Sequence, residues 1–447
     1  MLRNDDEISY ASWRSYFSFL QGVKSENSEL FKDFFNAVKM EKNKSGCVSY
    51  FVIIPTIYKN HATSIAFLCF VFCAYIATDT SLMIIFILIV VGVSLAIFVF
   101  LQQPKFGKLP AGERLERIEK SPHYKNGTFR NVSNTPSLTE GASYYSVMKE
   151  IMFGASKRRK PADSIPTQKT DLLALPADKD ILVWFGHSSY FIQVDGRKIL
   201  VDPVFSGAAS PIKSTTRSFP GADVYTTDDL PEIDYLFISH DHWDHLDYET
   251  ILKIKPKVKK VICAIGVGAH LEFWGFDKNV IIEKDWNQEA ILENGFIVNT
   301  TTARHFSGRG LKRNKSIWLS FALKTPTMNI FIGGDSGYDV HFRAIGDKYG
   351  PFDLAILECG QYDKSWKYIH MMPEEVVTAS QELKAKRLMP VHWGKFALAN
   401  HAWDDSITRV TRAAQQQNVA LLTPMIGEEV CLKNIAKVYP AWWANIQ

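Results

Sequence analysis

The sequence predicts an α/β fold, two β-sheets packed together with helices outside, behind a two-helix transmembrane hairpin. Three observations predict it. From about Asp180, short apolar runs punctuated by Gly, Pro and Asp alternate with helical patterns over about 260 residues. Ser81 to Leu101 carries no charge and is long enough to cross a bilayer. Directly after the strand-like run Ile233 to Ser239 comes His240-Asp241-His242-Trp243-Asp244-His245, which places three imidazoles and Asp244 on one strand-end loop.

Length and composition permit such a molecule. The chain has 447 residues, 46% of them hydrophobic, enough for a sizeable core in two or three units. A formal net charge of +4 is too small for a nucleic-acid binder, so no nucleic-acid partner is expected. Six cysteines, at 47, 69, 73, 263, 359 and 431, form no CxxC pair. They read as buried free thiols in a reducing compartment, not as a disulfide framework.

Residues 1–60 read as an N-terminal cytosolic segment. Leu30, Phe31, Phe34, Phe35 and Val38 recur at helical spacing behind Ser28, a suitable cap. An interfacial helix and a plain packed helix fit this pattern equally well. Residues 61–101 read as the hairpin: Ala62 to Ala77 is uncharged, and Thr78-Asp79-Thr80 joins it to Ser81–Leu101. A buried core helix pair is the competing reading. A cleaved signal peptide is excluded, because the apolar block starts about sixty residues in. Lys42, Lys44 and Lys59 precede the hairpin, and Lys105 and Lys108 follow it. The positive-inside rule therefore expects an integral membrane protein whose large C-terminal part faces the cytoplasm.

Residues 102–180 read as a linker and lead-in segment. Its run Lys157-Arg158-Arg159-Lys160 is either simply solvated or placed to touch anionic headgroups. Residues 181–440 read as the catalytic domain. Strands are expected at Ile181–Phe185, Tyr190–Val194, Lys198–Val201, Val261–Cys263 and Asn329–Ile332, and helices near Tyr248–Lys255, Pro373–Lys384 and Asp405–Gln417.

Imidazole nitrogen and carboxylate oxygen are the ligands a zinc-like cation prefers. Three later residues extend the set: His305 after Phe296-Ile297-Val298, Asp335 after Ile330-Phe331-Ile332, and His392 after Met389-Pro390-Val391. Singly each is ordinary, since a His beside aromatics is usually a core residue and an Asp before Ser-Gly usually a turn. Together, each behind a strand, they can reach one sheet edge. No Cys falls in the cluster, so zinc or a similar borderline metal fits better than a thiolate site.

These residues resemble a metallo-β-lactamase-fold hydrolase, most nearly the N-acyl-phosphatidylethanolamine-hydrolysing phospholipase D group. The resemblance covers about 125 to 435 and includes Gly127-Thr128-Phe129-Arg130-Asn131, Trp184-Phe185-Gly186-His187 and Asp202-Pro203-Val204-Phe205-Ser206. It continues through His240 to Tyr248, Gly334-Asp335-Ser336-Gly337-Tyr338, Gly350 to Ala355, and His392-Trp393-Gly394-Lys395-Phe396-Ala397-Leu398-Ala399-Asn400. It implies a four-layer αββα sandwich and two zinc ions. One ion would be held by His240, His242 and His305, the other by Asp244, His245 and His392, with Asp335 bridging. Iron or manganese fits the same donors. Two such ions about 3.5–4 Å apart acidify a shared water and clamp both oxygens of a displacement at phosphorus. Asp202 is a candidate to fix the tautomer of a ligating His, against the reading of a simple strand-end turn. His187 is expected to support the site without ligating, and His370 to contact substrate or phosphate. Gln361, Tyr362 and Trp366 line a pocket or belong to the core, and Trp243 packs a wall of the cleft.

The resemblance implies phosphodiester hydrolysis of a membrane glycerophospholipid, with Asp335, Asp244 and His370 at the chemistry, and the hairpin would hold that site at the lipid boundary. The integral hairpin departs from the family's catalytic pattern. A lactonase or esterase on the same metal pair is the second reading. A membrane-tethered metal-binding protein without catalysis is the third.

Overall fold

The computed structural model describes residues 38–40, 51–53, 80–154, 156–434 and 436–447. The chain divides into two compact units, Met1–Ile97 and Phe98–Gln447. In the first, Val38–Met40 pairs antiparallel with Phe51–Ile53, and Val38 stands opposite Ile53. The helical pattern expected over Leu30 to Phe35 lies outside the described residues, while its last member, Val38, is in a strand.

Helix α1, Thr80–Leu101, is the one described helix long and apolar enough to cross a membrane. Its window Leu82–Leu101 is 0% buried, and 20 residues at about 1.5 Å each span about 30 Å, the thickness of a hydrocarbon core. A helix apolar on every face needs a lipid or protein environment all round. The first helix expected for the hairpin, Ala62 to Ala77, lies outside the described residues; the second, Ser81 to Leu101, is α1.

The second unit contains two sheets. The strands of the first are β1 (Ile181–Trp184), β2 (Tyr190–Val194), β3 (Arg197–Val201), β4 (Ile233–Ile238), β5 (Val258–Ala264) and β6 (Ile281–Lys284). The second sheet holds β7 (Glu289–Ile291), β8 (Ile297–Thr302), β9 (Leu319–Lys324), β10 (Asn329–Ile332), β11 (Leu354–Glu358) and β12 (Leu388–Val391). A last strand, β13 (Glu429–Cys431), returns to the first sheet beside β1. The strand orders are β6-β5-β4-β3-β2-β1-β13 and β7-β8-β9-β10-β11-β12. In each sheet an antiparallel run passes into a parallel one: β3 to β6 pair parallel in the first sheet, β10 to β12 in the second. Strands β1, β2, β4 and β11 are buried at every position, which is why they read as nearly continuous apolar runs, each of the last three with a single polar residue, Gln193, Asp234 or Glu358.

The core lies between the sheets. Phe237 of β4 meets Phe321 of β9 edge-to-face at 4.9 Å, and Tyr235 lies 5.9 Å from Phe296. Helices flank the sheets. Helix α2 (Tyr144–Lys149) precedes the strands, and α3 (Tyr248–Ile254) follows the histidine loop, capped by Asp247 through the Glu249 N–H. Helix α4 (Pro373–Glu382) packs on β11 and β12 through Val376 and Val377. Pro373 opens its first turn and Glu375 accepts from the Met372 N–H at 2.8 Å, a start signal the sequence carries. Helix α5 (Asp405–Gln417) packs on α4 and ends on Asn418 in the left-handed conformation.

The stretch 102–180 packs onto the domain: Ile118, Phe129, Ile165 and Leu172 join the core. So do Trp443 and Ile446, past residue 440, and Trp442 stacks on Trp393 at 5.1 Å. Among the described residues Cys263, Cys359 and Cys431 are free thiols, the first two buried. Strand β9 and the short helix Gly268–Phe273 had no distinct sequence signal. Their lengths fall where strand and helix patterns look alike.

Because Phe237 fills the seam between the sheets, Phe237→Ala is expected to cost about 3–5 kcal/mol of stability. Denaturant unfolding of the full chain in detergent, followed by tryptophan fluorescence, checks this; an unchanged midpoint would mean the seam collapses around the gap.

Candidate metal centre

Every candidate donor sits just beyond the C-terminal end of a strand. His187 follows β1, Asp202 follows β3, and the loop His240–His245 follows β4. His305 follows β8, Asp335 follows β10 and His392 follows β12 directly. Strands β1, β3 and β4 run one way in their sheet, as do β8, β10 and β12 in theirs, so both sheets deliver these residues to one edge. The turns are sharp. His187, Asp202, Gln361 and His392 all adopt positive φ, which is costly for residues with a Cβ and concentrates where a site fixes the backbone. Gly334, at φ +59°, is required: a Cβ there would lie 2.9 Å from Ser239 Cβ.

The donors form two groups that share Asp335. In one, His240 Nε2 and His305 Nε2 lie 2.9 and 3.1 Å from His242 Nδ1. Asp335 Oδ2 stands 3.9 and 3.7 Å from the same two Nε2 atoms. In the other, His245 Nε2 lies 3.5 Å from Asp244 Oδ2 and 3.2 Å from Asp335 Oδ2. His392 presents Nε2 at 3.9 Å from Asp244 and Nδ1 at 3.3 Å from Asp335. These separations match a cation of zinc size, whose ligands about 2.0–2.1 Å from the ion stand about 3.3 Å apart. His187 is also within this second group, its Nε2 2.9 Å from Asp244 Oδ2.

Electrostatics favours cations here. Asp202, Asp244 and Asp335 are buried, and among the described residues only imidazoles ion-pair with them. Burial alone would raise the Asp335 carboxyl. The imidazole of His245, itself pushed up by Asp335, Asp244 and Asp202, outweighs it and holds the group well below the usual carboxylate range. Burial lowers His240, His305 and His392, so neutral rings with free lone pairs are favoured. Three polar atoms of the set, His242 Nε2, His245 Nε2 and Asp335 Oδ1, are buried without a hydrogen-bond partner. Buried carboxylates without ammonium or guanidinium partners, unpartnered polar atoms and a His/Asp donor set together fit divalent metal ions.

Outer contacts aim the rings. His245 Nδ1–H donates to Asp202 Oδ2 at 2.8 Å, and Asp202 also accepts from the Ser239 N–H and hydroxyl. His305 Nδ1–H donates to the Ile369 carbonyl at 2.8 Å, and Ser188 Oγ lies 2.8 Å from His392 Nδ1. Such partners leave the opposite ring nitrogen for a metal. Asp241 points away from the donor set, accepting from the Gly308 N–H at 2.6 Å and the Ser316 hydroxyl at 2.9 Å. Buried Arg309 donates to the carbonyls of Asp241 and Leu246, at 3.0 and 2.6 Å, and to that of Lys105. Its guanidinium lies 4.0 Å over the Trp243 ring. Burial lowers its pKa to about 10, which leaves it protonated at neutral pH. The metal loop is thus clamped at both ends to the segment that follows α1.

A cleft of about 340 Å³ opens beside the donors, lined by His242, His305, Asp335, His370 and His392, with Gln361, Trp366 and Leu398 further out. His370 Nδ1 lies 3.5 Å from Glu358 Oε1, and burial raises the Glu358 carboxyl to about 7. Gln361 braces the loop after His392: its Oε1 accepts from the Leu398 and Ala399 N–H groups. Tyr362 does not line this cleft. Its hydroxyl bonds Asp405 and its ring stacks on His401, so it belongs to the packing around α5. Trp243 walls a second cleft, of about 410 Å³, that reaches His242 and Asp244 from another side past Phe106 and Phe306. The supporting roles of Asp241, Arg309, Ser188 and Glu358 had no local signal; each depends on contacts from remote segments.

Residues 197–393 match the family of the beta-lactamase superfamily domain. An uncharacterized protein of Mycobacterium tuberculosis is 36% identical over 331 residues, 73% of this chain and 88% of that protein. The N-acyl-phosphatidylethanolamine-hydrolyzing phospholipase D 1 of Caenorhabditis elegans is 27% identical over 296 residues, 61% of this chain and 80% of that protein. The mitochondrial N-acyl-phosphatidylethanolamine-hydrolyzing phospholipase D of Saccharomyces cerevisiae is 34% identical over 226 residues, and the match spans 48% of either chain.

Asp202→Asn keeps the shape but weakens the hold on the His245 ring. A loss of about 10–100-fold in metal affinity is expected, measured by competition with a chelating dye. Unchanged affinity would show that Asp202 serves the turn alone.

Proposed function

We propose, for a chain that belongs to the beta-lactamase superfamily, a metal-dependent hydrolase that cleaves a phosphodiester of a membrane glycerophospholipid. The observation that carries this reading is the pair of donor groups joined through Asp335 and open to a cleft. His240, His242 and His305 would hold one divalent cation, Asp244, His245 and His392 a second, and Asp335 both. Zinc suits these donors best. Such a pair supplies an acidified water and a charge clamp for displacement at phosphorus.

The chain's own residues do the rest. His187, 2.9 Å from Asp244, orients that carboxylate. His370, backed by Glu358, presents an imidazole to the phosphoryl oxygens from the cleft wall. Arg313 borders both clefts and brings a guanidinium to the same charge. The first cleft, lined by polar groups such as Asn131, His305 and Asn314, suits the head group. The second, walled by Phe106, Trp243 and Phe306, suits apolar chains. The phospholipid class draws support from two relatives whose names state that substrate, and from α1, which would keep the domain beside its substrate. With Ala62 to Ala77 crossing as well as α1, the lysines on both flanks of the apolar segment lie on one side, and the positive-inside rule then places the domain in the cytoplasm.

Asp335→Asn is expected to lower turnover of bis-p-nitrophenyl phosphate by more than about 100-fold, beyond what an outer-shell partner costs, with unfolding unchanged. Chelation should abolish that turnover and added Zn²⁺ restore it. On N-acylated phosphatidylethanolamine in mixed micelles, mass spectrometry should find phosphatidate and the released amide. Turnover of a lactone with no lipid cleavage would replace this reading with a lactonase.

A further inference from the structure

We infer that the segment Tyr144–Gly154 is a lipid-interface element that lays its apolar side chains into an anionic bilayer at the mouth of the metal-bearing cleft. Helix α2 starts on Ser143, which forms a reciprocal cap with Ser146, and continues without a break as a wider turn, Glu150–Gly154. The element is well specified locally, so its exposure is not that of an unformed loop. Yet Tyr144, Tyr145, Met148, Ile151, Met152 and Phe153 are all exposed, Phe153 to 81% and Tyr144 to 74%. No residue of the element is buried. Single exposed apolar residues are unremarkable, but six on eleven consecutive residues make a contiguous patch of the kind that marks a partner or membrane.

Both feet of the segment are tied down. The Thr139 N–H donates to the Ser365 carbonyl at 2.8 Å, and the Ser156 N–H to the Asn400 carbonyl at 2.9 Å. The patch is therefore held out on a fixed base. Three features select a bilayer as its occupant. The exposed lysines Lys149, Lys157 and Lys160 stand on and just after the apolar run, with Lys364 and Lys367 beside its first foot. Apolar side chains bordered by lysines are the composition of an interfacial helix on anionic lipid. The chain also carries α1, a helix long and apolar enough to cross a bilayer, which favours a bilayer over a protein partner as occupant. Finally, Tyr144 and Leu398 line the rim of the cleft that holds His370 and Asp335. A lipid lifted at this patch needs to travel little further to reach the donors.

The test uses the full chain in vesicles of phosphatidylcholine and phosphatidylglycerol containing a phospholipid with a tail-borne diazirine. After irradiation, mass spectrometry maps the labelled residues. Label is expected on 82–99, which serves as the internal standard, and at comparable yield on 144–153. In the surface variant Met152→Glu/Phe153→Glu, label on 144–153 should fall at least tenfold while label on 82–99 persists. Omitting phosphatidylglycerol should lower it several-fold. Label confined to 82–99, label indifferent to phosphatidylglycerol, or a crosslink from 144–153 to a second copy of the chain would each overturn the inference. The readout is independent of catalysis: a labelled patch without phosphodiester turnover would sink the proposed reaction and leave the lipid contact standing.

Discussion

Three carboxylates are buried where, among the described residues, no lysine or arginine pairs with them, and the arrangement of the site follows from that constraint. Asp202, Asp244 and Asp335 stand among imidazoles at the common edge of two sheets. Removing a carboxylate from water costs several kcal/mol unless opposite charge and hydrogen bonds replace the solvent. The fold supplies hydrogen bonds in quantity but not enough positive charge. A site of this composition is a demand for cations, and the rings of His240, His305 and His392, which burial keeps neutral, are ligands that divalent ions accept.

Meeting that demand requires precision from segments far apart in the chain. The two sheets bring it by repeating one device: a strand runs out of the core, and the first residues beyond it carry a donor. Buried strands fix position, and short strained turns fix direction. The loop His240–His245 is held further by Arg309, whose guanidinium spans from its carbonyls to that of Lys105. The same arginine therefore joins the metal loop to the stretch that emerges from the apolar helix. A displacement of that stretch would be felt at the metal ligands through a few hydrogen bonds.

Access completes the picture. Two clefts converge on His242 and Asp244, one rimmed by Tyr144 and Leu398, the other by Phe106 and Trp243. A phosphodiester with a polar head and apolar tails has two ends to accommodate, and the two openings differ in the side chains they offer. The apolar patch over Tyr144–Gly154 and the helix α1 give the chain two features suited to lipid. They are unlike in kind: one is of spanning length, the other too short to do more than lie in the headgroup layer.

The sequence by itself picked out the candidate donors and their order. His240, His242, Asp244, His245, His305, Asp335 and His392 were legible because each follows an apolar strand run, and local pattern is what a linear sequence records best. Helices over Pro373–Glu382 and Asp405–Gln417 and strands from Ile181 to Val201 were legible for the same reason. Tertiary structure alone decided what each donor leans on. Glu358 behind His370, Ser188 beside His392, and Arg309 across the candidate metal loop are contacts between segments from a dozen to about two hundred residues apart. It also placed Tyr362 outside the cleft and joined the supposed linker 102–180 to the core. Ligand identity is written in side-chain chemistry, whereas orientation and support arise only when the sheets close, because they depend on distances that no local pattern encodes.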